Sequence, residues 1–218
     1  MWRHVLRFFD WIFPPPIALE SIEHMTARQL RQHIPPPTQP QLKALATLPI
    51  ITLVILTYRH PLVRQAIWEL KYRGNLVVAR LIASLVAEEL VKIERYTSKN
   101  IVILPLPNSM RRRQTRGWNQ TELIAHYIPY YYSKARVFTD VLKKIRDTPA
   151  QATLKNRARL TNLTNCFRVH IDARKKIGTE NLIVLLDDVA TTGATFAEAL
   201  RPLLELGLTD ICCIAIAH

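Results

Sequence analysis

From Thr47 onward the chain alternates two kinds of apolar pattern. Strand-like runs occur at Ile50 to Tyr58, which is rich in Ile, Val and Thr, and at Ile101 to Leu106, Leu182 to Leu186 and Ile211 to Ala217. The five-residue apolar run Leu182 to Leu186, bounded by polar residues, predicts a strand buried on both faces. Between them, apolar positions recur three or four apart. Leu62, Ala66, Ile67 and Leu70 mark a helix over 61–71, and Ala79, Ile82, Ala83, Val86 and Leu90 a longer one over 76–93. Further helices are predicted to begin at Thr121 and to span Thr195 to Leu206, where Thr195 and Glu198 have the spacing of a capping box. Gly178 falls in the turn before Leu182, and Gly207 stands where a helix C-cap is expected. Strand and helix in alternation predict an α/β fold, a mainly parallel sheet flanked by helices.

Punctuation changes before residue 45. Pro14, Pro15, Pro16, Pro35, Pro36, Pro37 and Pro40 are half of the 14 prolines of the 218-residue chain. They bracket an N-terminal extension, residues 1–45, with a short helix expected around Thr26 to His33, ahead of a main domain over 46–218. The longest apolar stretch, Leu48 to Leu56, is broken by Pro49 and Thr52 and is too short to span a bilayer. Arg3, Arg7 and Asp10 interrupt the N-terminal aromatics, so a secretory leader is not expected and the reading is a cytoplasmic protein without membrane insertion. Three cysteines, Cys166, Cys212 and Cys213, make no disulfide framework and are expected to be buried hydrophobes. The seven histidines lack ligand spacing, so no metal held by protein alone is expected.

The chemistry concentrates in Leu182 to Thr195. An apolar strand leads into Asp187 and Asp188, then Val189, Ala190, Thr191, Thr192, Gly193, Ala194 and Thr195 open a helix. Ligands of open α/β sheets bind at the carboxyl ends of strands, where both acids fall. Two carboxylates can accept hydrogen bonds from vicinal sugar hydroxyls, and a loop of hydroxyls and N–H groups at a helix N-terminus suits a phosphate. No Lys follows the glycine, which argues against a nucleotide-triphosphate loop. The plain alternative is a turn in which the acids only cap a helix. The segment resembles the phosphoribosyl pyrophosphate (PRPP) signature of type I phosphoribosyltransferases.

Three further segments precede it. Lys71-Tyr72-Arg73-Gly74 follows a helix; Leu104-Pro105-Leu106-Pro107 runs through Arg111-Arg112-Arg113 to Arg116-Gly117-Trp118-Asn119-Gln120; and Lys143-Lys144-Ile145-Arg146-Asp147-Thr148-Pro149-Ala150-Gln151 leads to Phe167. In this order they are similar to the ComF family of phosphoribosyltransferase-like proteins, over about residues 50–218. The resemblance implies a PRPP site built from Asp187, Asp188, Ala190, Thr191, Thr192, Gly193, Ala194 and Thr195. Pro105, Leu106, Gly117, Asn119 and Gln120 would line it, and Thr148 and Gln151 would close over it. Asp187, Asp188, Arg116 and Arg146 would be the catalytic set, with Mg²⁺ entering together with PRPP. Lys143 belongs to the same closing loop. The chain departs from the family after Phe13-Pro14-Pro15-Pro16, where many relatives carry a Cys-x-x-Cys zinc ribbon and this one has Ile17, Ala18, Leu19 and Glu20. The ribbon is read as lost or replaced by the short helix.

Charge adds a second partner. Residues 92–176 hold 19 Lys and Arg against 5 Asp and Glu, a net of +14 within a chain of net charge +13. That excess exceeds what one small anion needs and points to single-stranded DNA, with Trp118, Tyr72 and the Tyr130–Tyr132 run as stacking candidates. The family resemblance implies handling of incoming single strands during natural transformation, together with the competence DNA-uptake machinery. The alternative is an active transferase moving the 5-phosphoribosyl group onto a nitrogen acceptor.

Overall fold

The computed structural model describes residues 22–35, 37–40, 42–146 and 165–218. Five strands form one sheet: β1 (Ile51–Leu56), β2 (Ile101–Pro105), β3 (Arg136–Val137), β6 (Leu182–Val189) and β7 (Ile211–Ala217). Their spatial order is β1-β7-β6-β2-β3, and every adjacent pair is parallel. A separate antiparallel hairpin pairs β4 (Leu142–Lys144) with β5 (Phe167–Val169). The helices are α1 (Ala27–His33), α2 (Pro61–Tyr72), α3 (Leu76–Glu94), α4 (Met110–Arg116), α5 (Gln120–Tyr131), α6 (Ala173–Ile177) and α7 (Ala194–Glu205). The α/β architecture expected from the alternating patterns is the one observed.

The strand period of two divides the core cleanly. Ile101, Ile103, Val184, Leu186, Cys212 and Ile214 face one layer, packed with α2, α3 and α5. Val102, Leu104, Ile183, Leu185, Cys213 and Ala215 face the other, packed with α7 and the β4–β5 hairpin. The adjacent cysteines therefore point to opposite faces, both buried, and burial pushes the Cys212 thiol up to about 12. Ile22, Leu30 and Ile34 join the first layer, so residues 22–34 belong to the main core. Thr26 caps α1, accepting from the Gln29 N–H while Gln29 Oε1 accepts from Thr26 N–H.

Connectivity decides where a ligand can sit. The chain leaves β2 for β3 on one side and leaves β6 for β7 on the other. Strands β2 and β6 are neighbours, so their carboxyl ends flank the crevice at a topological switch point. Pro105 pairs with Leu186 there, and the Leu106 N–H donates to the Leu186 carbonyl at 2.9 Å.

Two expectations need correction. The signature strand runs on to Val189, so Asp187 and Asp188 belong to its last pleats and do not follow it. The capping box of Thr195 and Glu198 does not form. Helix α7 begins one residue earlier, with Gly193 as its cap in the left-handed conformation at φ +79°. Glu198 instead accepts from the Asn165 N–H at 2.8 Å and pairs with Arg201 at 3.2 Å.

If residues 22–34 fold with the sheet, Leu30→Ala should lower stability by about 2–5 kcal/mol, the usual range for a buried Leu truncation. Urea unfolding should then show a single transition at a lower midpoint. A separate, early transition that leaves the main midpoint unchanged would show the segment to be an independent appendage.

Candidate functional site

Asp188 is the most constrained polar group at the crevice. It is 6% exposed. Its Oδ2 receives Lys71 Nζ at 2.8 Å and Gln120 Nε2 at 2.9 Å, and its Oδ1 receives the Val189 N–H at 2.7 Å. Burial opposes ionisation, but the Lys71 charge and these donors outweigh it and hold the carboxyl below its ordinary range. Asp187 behaves in the opposite sense. Burial and the neighbouring Asp188 push it up to about 7, against the opposing pull of the Asp188 N–H, Lys71 and Lys144. At neutral pH the pair therefore offers one firm acceptor and one carboxyl poised between donor and acceptor. Such a pair suits two adjacent hydroxyls.

Lys71 and Gln120 reach Asp188 from two segments that are themselves locked together. The Trp118 indole N–H donates to the Leu70 carbonyl at 2.8 Å. Gly74, at φ +59°, lets the Trp118 ring lie where a side chain would collide, with ring carbons 3.0–3.2 Å from a would-be Cβ. The Arg116 guanidinium lies 5.0 Å over the Tyr72 ring. Asn119 caps α5 by accepting from the Thr121 N–H, and its Nδ2 donates to the Leu106 carbonyl at 3.0 Å. Asn108 Nδ2 donates to Gln120 Oε1 at 2.8 Å, tying the turn after β2 to the acid pair. Gly117, at φ +81°, ends α4 and allows the turn. Asn119 thus fixes the loop, and Gln120 presents itself to Asp188.

The loop after β6 is held from below. Ala190 N–H donates to the Ala217 carbonyl at 3.0 Å, and the Thr192 carbonyl accepts from Ala44 N–H at 3.0 Å. His218 Nε2 lies 3.2 Å from the Thr191 carbonyl. Leu42 Cβ sits 2.8 Å from the position a Gly193 side chain would take. Ala194 is buried and Thr195 half-buried in the first turn of α7. Gln39 braces the same strap, its side-chain amide exchanging hydrogen bonds with both backbone groups of Val54.

Sequence reasoning had no basis for Lys71, Asn108 or this strap as site elements. The Lys-Tyr-Arg-Gly motif was visible, but its pairing with Asp188 is tertiary. Lys143 and Arg146 are exposed on the hairpin side, and the hairpin cation that acts on Asp187 is Lys144. Thr148 and Gln151 lie outside the described residues. Trp118 serves as a brace, Tyr132 is buried, and Tyr130 and Tyr131 are exposed. Among the described residues no helix is long and apolar enough to cross a membrane.

No family model matches the sequence. Curated relatives do. A DNA utilization protein YhgH of Salmonella typhimurium is 28% identical over 216 residues, 92% of this chain and 92% of that protein. Competence protein ComFC of Bacillus subtilis is 28% identical over 155 residues, 70% of this chain and 58% of its own. Competence protein F of Haemophilus influenzae is 29% identical over 109 residues, 50% of this chain and 46% of its own. The chain is similar to competence and DNA utilization proteins of this kind, which supports the resemblance to the ComF family. Two of the three segments similar to that family, Lys71 to Gly74 and Arg116 to Gln120, are in the structure the two halves of one bracket on Asp188.

The raised Asp187 carboxyl makes a stability prediction. Its folded value near 7 exceeds the ordinary carboxylate value of the unfolded chain. Its favourable contribution is therefore full at acid pH and is lost as pH rises toward 7. Asp187→Asn should make the protein more stable than wild type at pH 8, by about 1 kcal/mol or more. The gap should close as pH falls to about 4. Thermal melts across that range read it directly, and a variant less stable at pH 8 would contradict the assignment.

Proposed function

We propose that this protein binds PRPP at the carboxyl ends of β2 and β6 and that it serves DNA uptake. The observation that carries the reading is the differently poised acid pair at a switch point, followed by a helix that opens on a left-handed glycine. Asp187 and Asp188 would take the ribose hydroxyls. Thr191 to Thr195, at the N-terminus of the 12-residue α7, would take the 5-phosphate. The turn after Pro105 and Leu106, with Arg116 on the adjoining bracket, would face the pyrophosphate. Asp188 is committed to Lys71 and Gln120, so the donor set suits a magnesium ion carried by diphosphate oxygens and water. Bound in this way the ion would neutralise leaving-group charge. The uptake role is supported by relatives named for DNA utilization and competence.

A second partner is favoured by one specific feature. In the β4–β5 hairpin Lys143 stands directly opposite Arg168, both exposed, and no acid occupies the register. Like charges across a strand pair are unfavourable alone and become favourable when a polyanion lies over them. Arg146, Arg174 and Lys175 are exposed nearby in sequence. Single-stranded DNA is the reading. Transfer of the phosphoribosyl group to a nitrogen acceptor would use the same pocket and would be revealed by acceptor-dependent pyrophosphate release.

Calorimetry with Mg²⁺–PRPP tests the first reading. Asp187→Asn with Asp188→Asn should weaken binding by about 3 kcal/mol or more, roughly a hundredfold, in a folded protein. Unchanged affinity in that double variant would remove the site. For DNA, Lys143→Ala with Arg168→Ala should flatten the log–log dependence of affinity on salt by about 0.7 for each phosphate that is no longer neutralised. An unaltered slope would move the strand off the hairpin.

A further inference from the structure

We propose that Lys71 is a positioning residue: through its ion pair it keeps Asp188 an ionised, fixed acceptor for a vicinal diol, and the Trp118–Gly74 bracket exists to hold it there. The inference rests on the PRPP reading and adds a residue that the PRPP signature itself does not contain.

The argument starts from cost. A buried ion pair is weak evidence for stability, because desolvation offsets much of the attraction. The side chains of Lys71 and Asp188 are only 17% and 9% exposed. Yet three contacts from the five-residue stretch Arg116–Gln120 are spent on this arrangement. Trp118 bonds the Leu70 carbonyl, one residue before Lys71. Arg116 covers Tyr72, one residue after it. Gln120 meets the same Asp188 oxygen from the other side. Gly74 adopts a left-handed conformation that admits the Trp118 ring. A Lys in the last turn of α2 is also favoured by the helix dipole, which would explain a cation there but not its confinement.

Among the described residues, the groups that bear on Asp188 come from several elements. Asp187 shares its strand, Lys71 comes from α2, Gln120 from α5, and Tyr58 from the turn after β1. Lys144 of the hairpin acts on Asp187, and Arg64 on Tyr58. Burial raises the Tyr58 hydroxyl, so that group stays neutral and adds no further negative charge beside Asp188, and among the described residues Lys71 is the cation paired with it. Without Lys71 the acid pair would share a proton at neutral pH. The ordered acceptor geometry would then be lost.

Carboxyl-carbon NMR titration of the full chain tests this without any ligand. Lys71→Met should raise the Asp188 midpoint by roughly 1–3 pH units, and Lys71→Arg should return it toward wild type. An unchanged midpoint in Lys71→Met overturns the inference. Calorimetry then links it to binding. Affinity of Lys71→Met for Mg²⁺–PRPP should fall on acidification at the new midpoint, whereas affinity for inorganic pyrophosphate should match wild type. Equal loss for pyrophosphate would make Lys71 a direct phosphate contact and overturn the positioning role. Failure of the wild type to bind PRPP would defeat the underlying reading, and the titration distinguishes that failure from this one. Should Lys71→Met fold poorly, Lys71→Met with Asp188→Asn should regain stability, because no lone carboxylate stays buried; an equally unstable double variant contradicts the pairing.

Discussion

A carboxylate sealed at the end of a parallel strand has to be compensated from outside that strand, and Asp188 is compensated from two directions at once. Its own strand supplies one backbone donor, the Val189 N–H, and a neighbouring carboxylate of like charge. Lys71 supplies charge and Gln120 supplies a neutral donor, each from a helix end in the layer above the sheet. Both helix ends must therefore be held to within hydrogen-bonding tolerance of one oxygen atom. Much else follows from that requirement. The Trp118 brace, the left-handed Gly74, the Asn119 cap on α5 and the Asn108–Gln120 contact all fix the two donors relative to the sheet.

The neighbouring acid shows the other side of the same physics. On Asp187, burial and the adjacent carboxylate prevail over the pull of Lys71 and Lys144. Its raised value is a standing destabilisation at neutral pH of the kind that binding sites retain and cores do not. The loop that follows is stiffened by contacts from residues 42–44, with Leu42 packed over Gly193 and Ala44 bonded to Thr192. Segments before the first sheet strand thus take part in shaping the end of the site. Residues 22–34 do the same for the layer that carries Lys71, through Leu30 and Ile34 in its core.

Much of this was legible in one dimension, and the rest was hidden for definite reasons. Strands β1, β2 and β7 are predominantly apolar runs, and α2 and α3 have the helical period, so their limits fall within a residue or two of expectation. The β4–β5 hairpin gave no such signal, because its strands are three residues each and carry Lys143, Lys144 and Arg168. The end of α5 was obscured by Pro129, which lies inside the helix although proline usually ends one. Thr195 and Glu198 had correct spacing for a capping box, but a glycine already in the left-handed region set the start of α7 one residue earlier. The acid pair was recognisable from its strand and loop. Its asymmetry was not, since Lys71 and Gln120 lie in other segments and meet Asp188 only after the sheet has formed.

Net charge was the least local of the signals, and the structure gives it a finer meaning. Several cations of the basic stretch are answered by acids: Lys92 by Glu89, Lys99 by Asp210, Lys134 by Glu94 and Lys176 by Asp140. These are surface pairs, screened by salt and worth little to stability. They reduce the local charge around α3, where Glu88 and Glu89 also take Arg31, at the amino end of the sheet and, through Lys176 and Asp140, at the base of the hairpin. The hairpin is treated differently. Lys143 and Arg168 face each other across its two strands, and Lys144 lies over the Phe167 ring at 5.5 Å while acting on Asp187. Lys144 thereby places a positive charge near Asp187, on the element that packs against α7. A cation there opposes the mutual repulsion of the two carboxylates at the carboxyl end of β6.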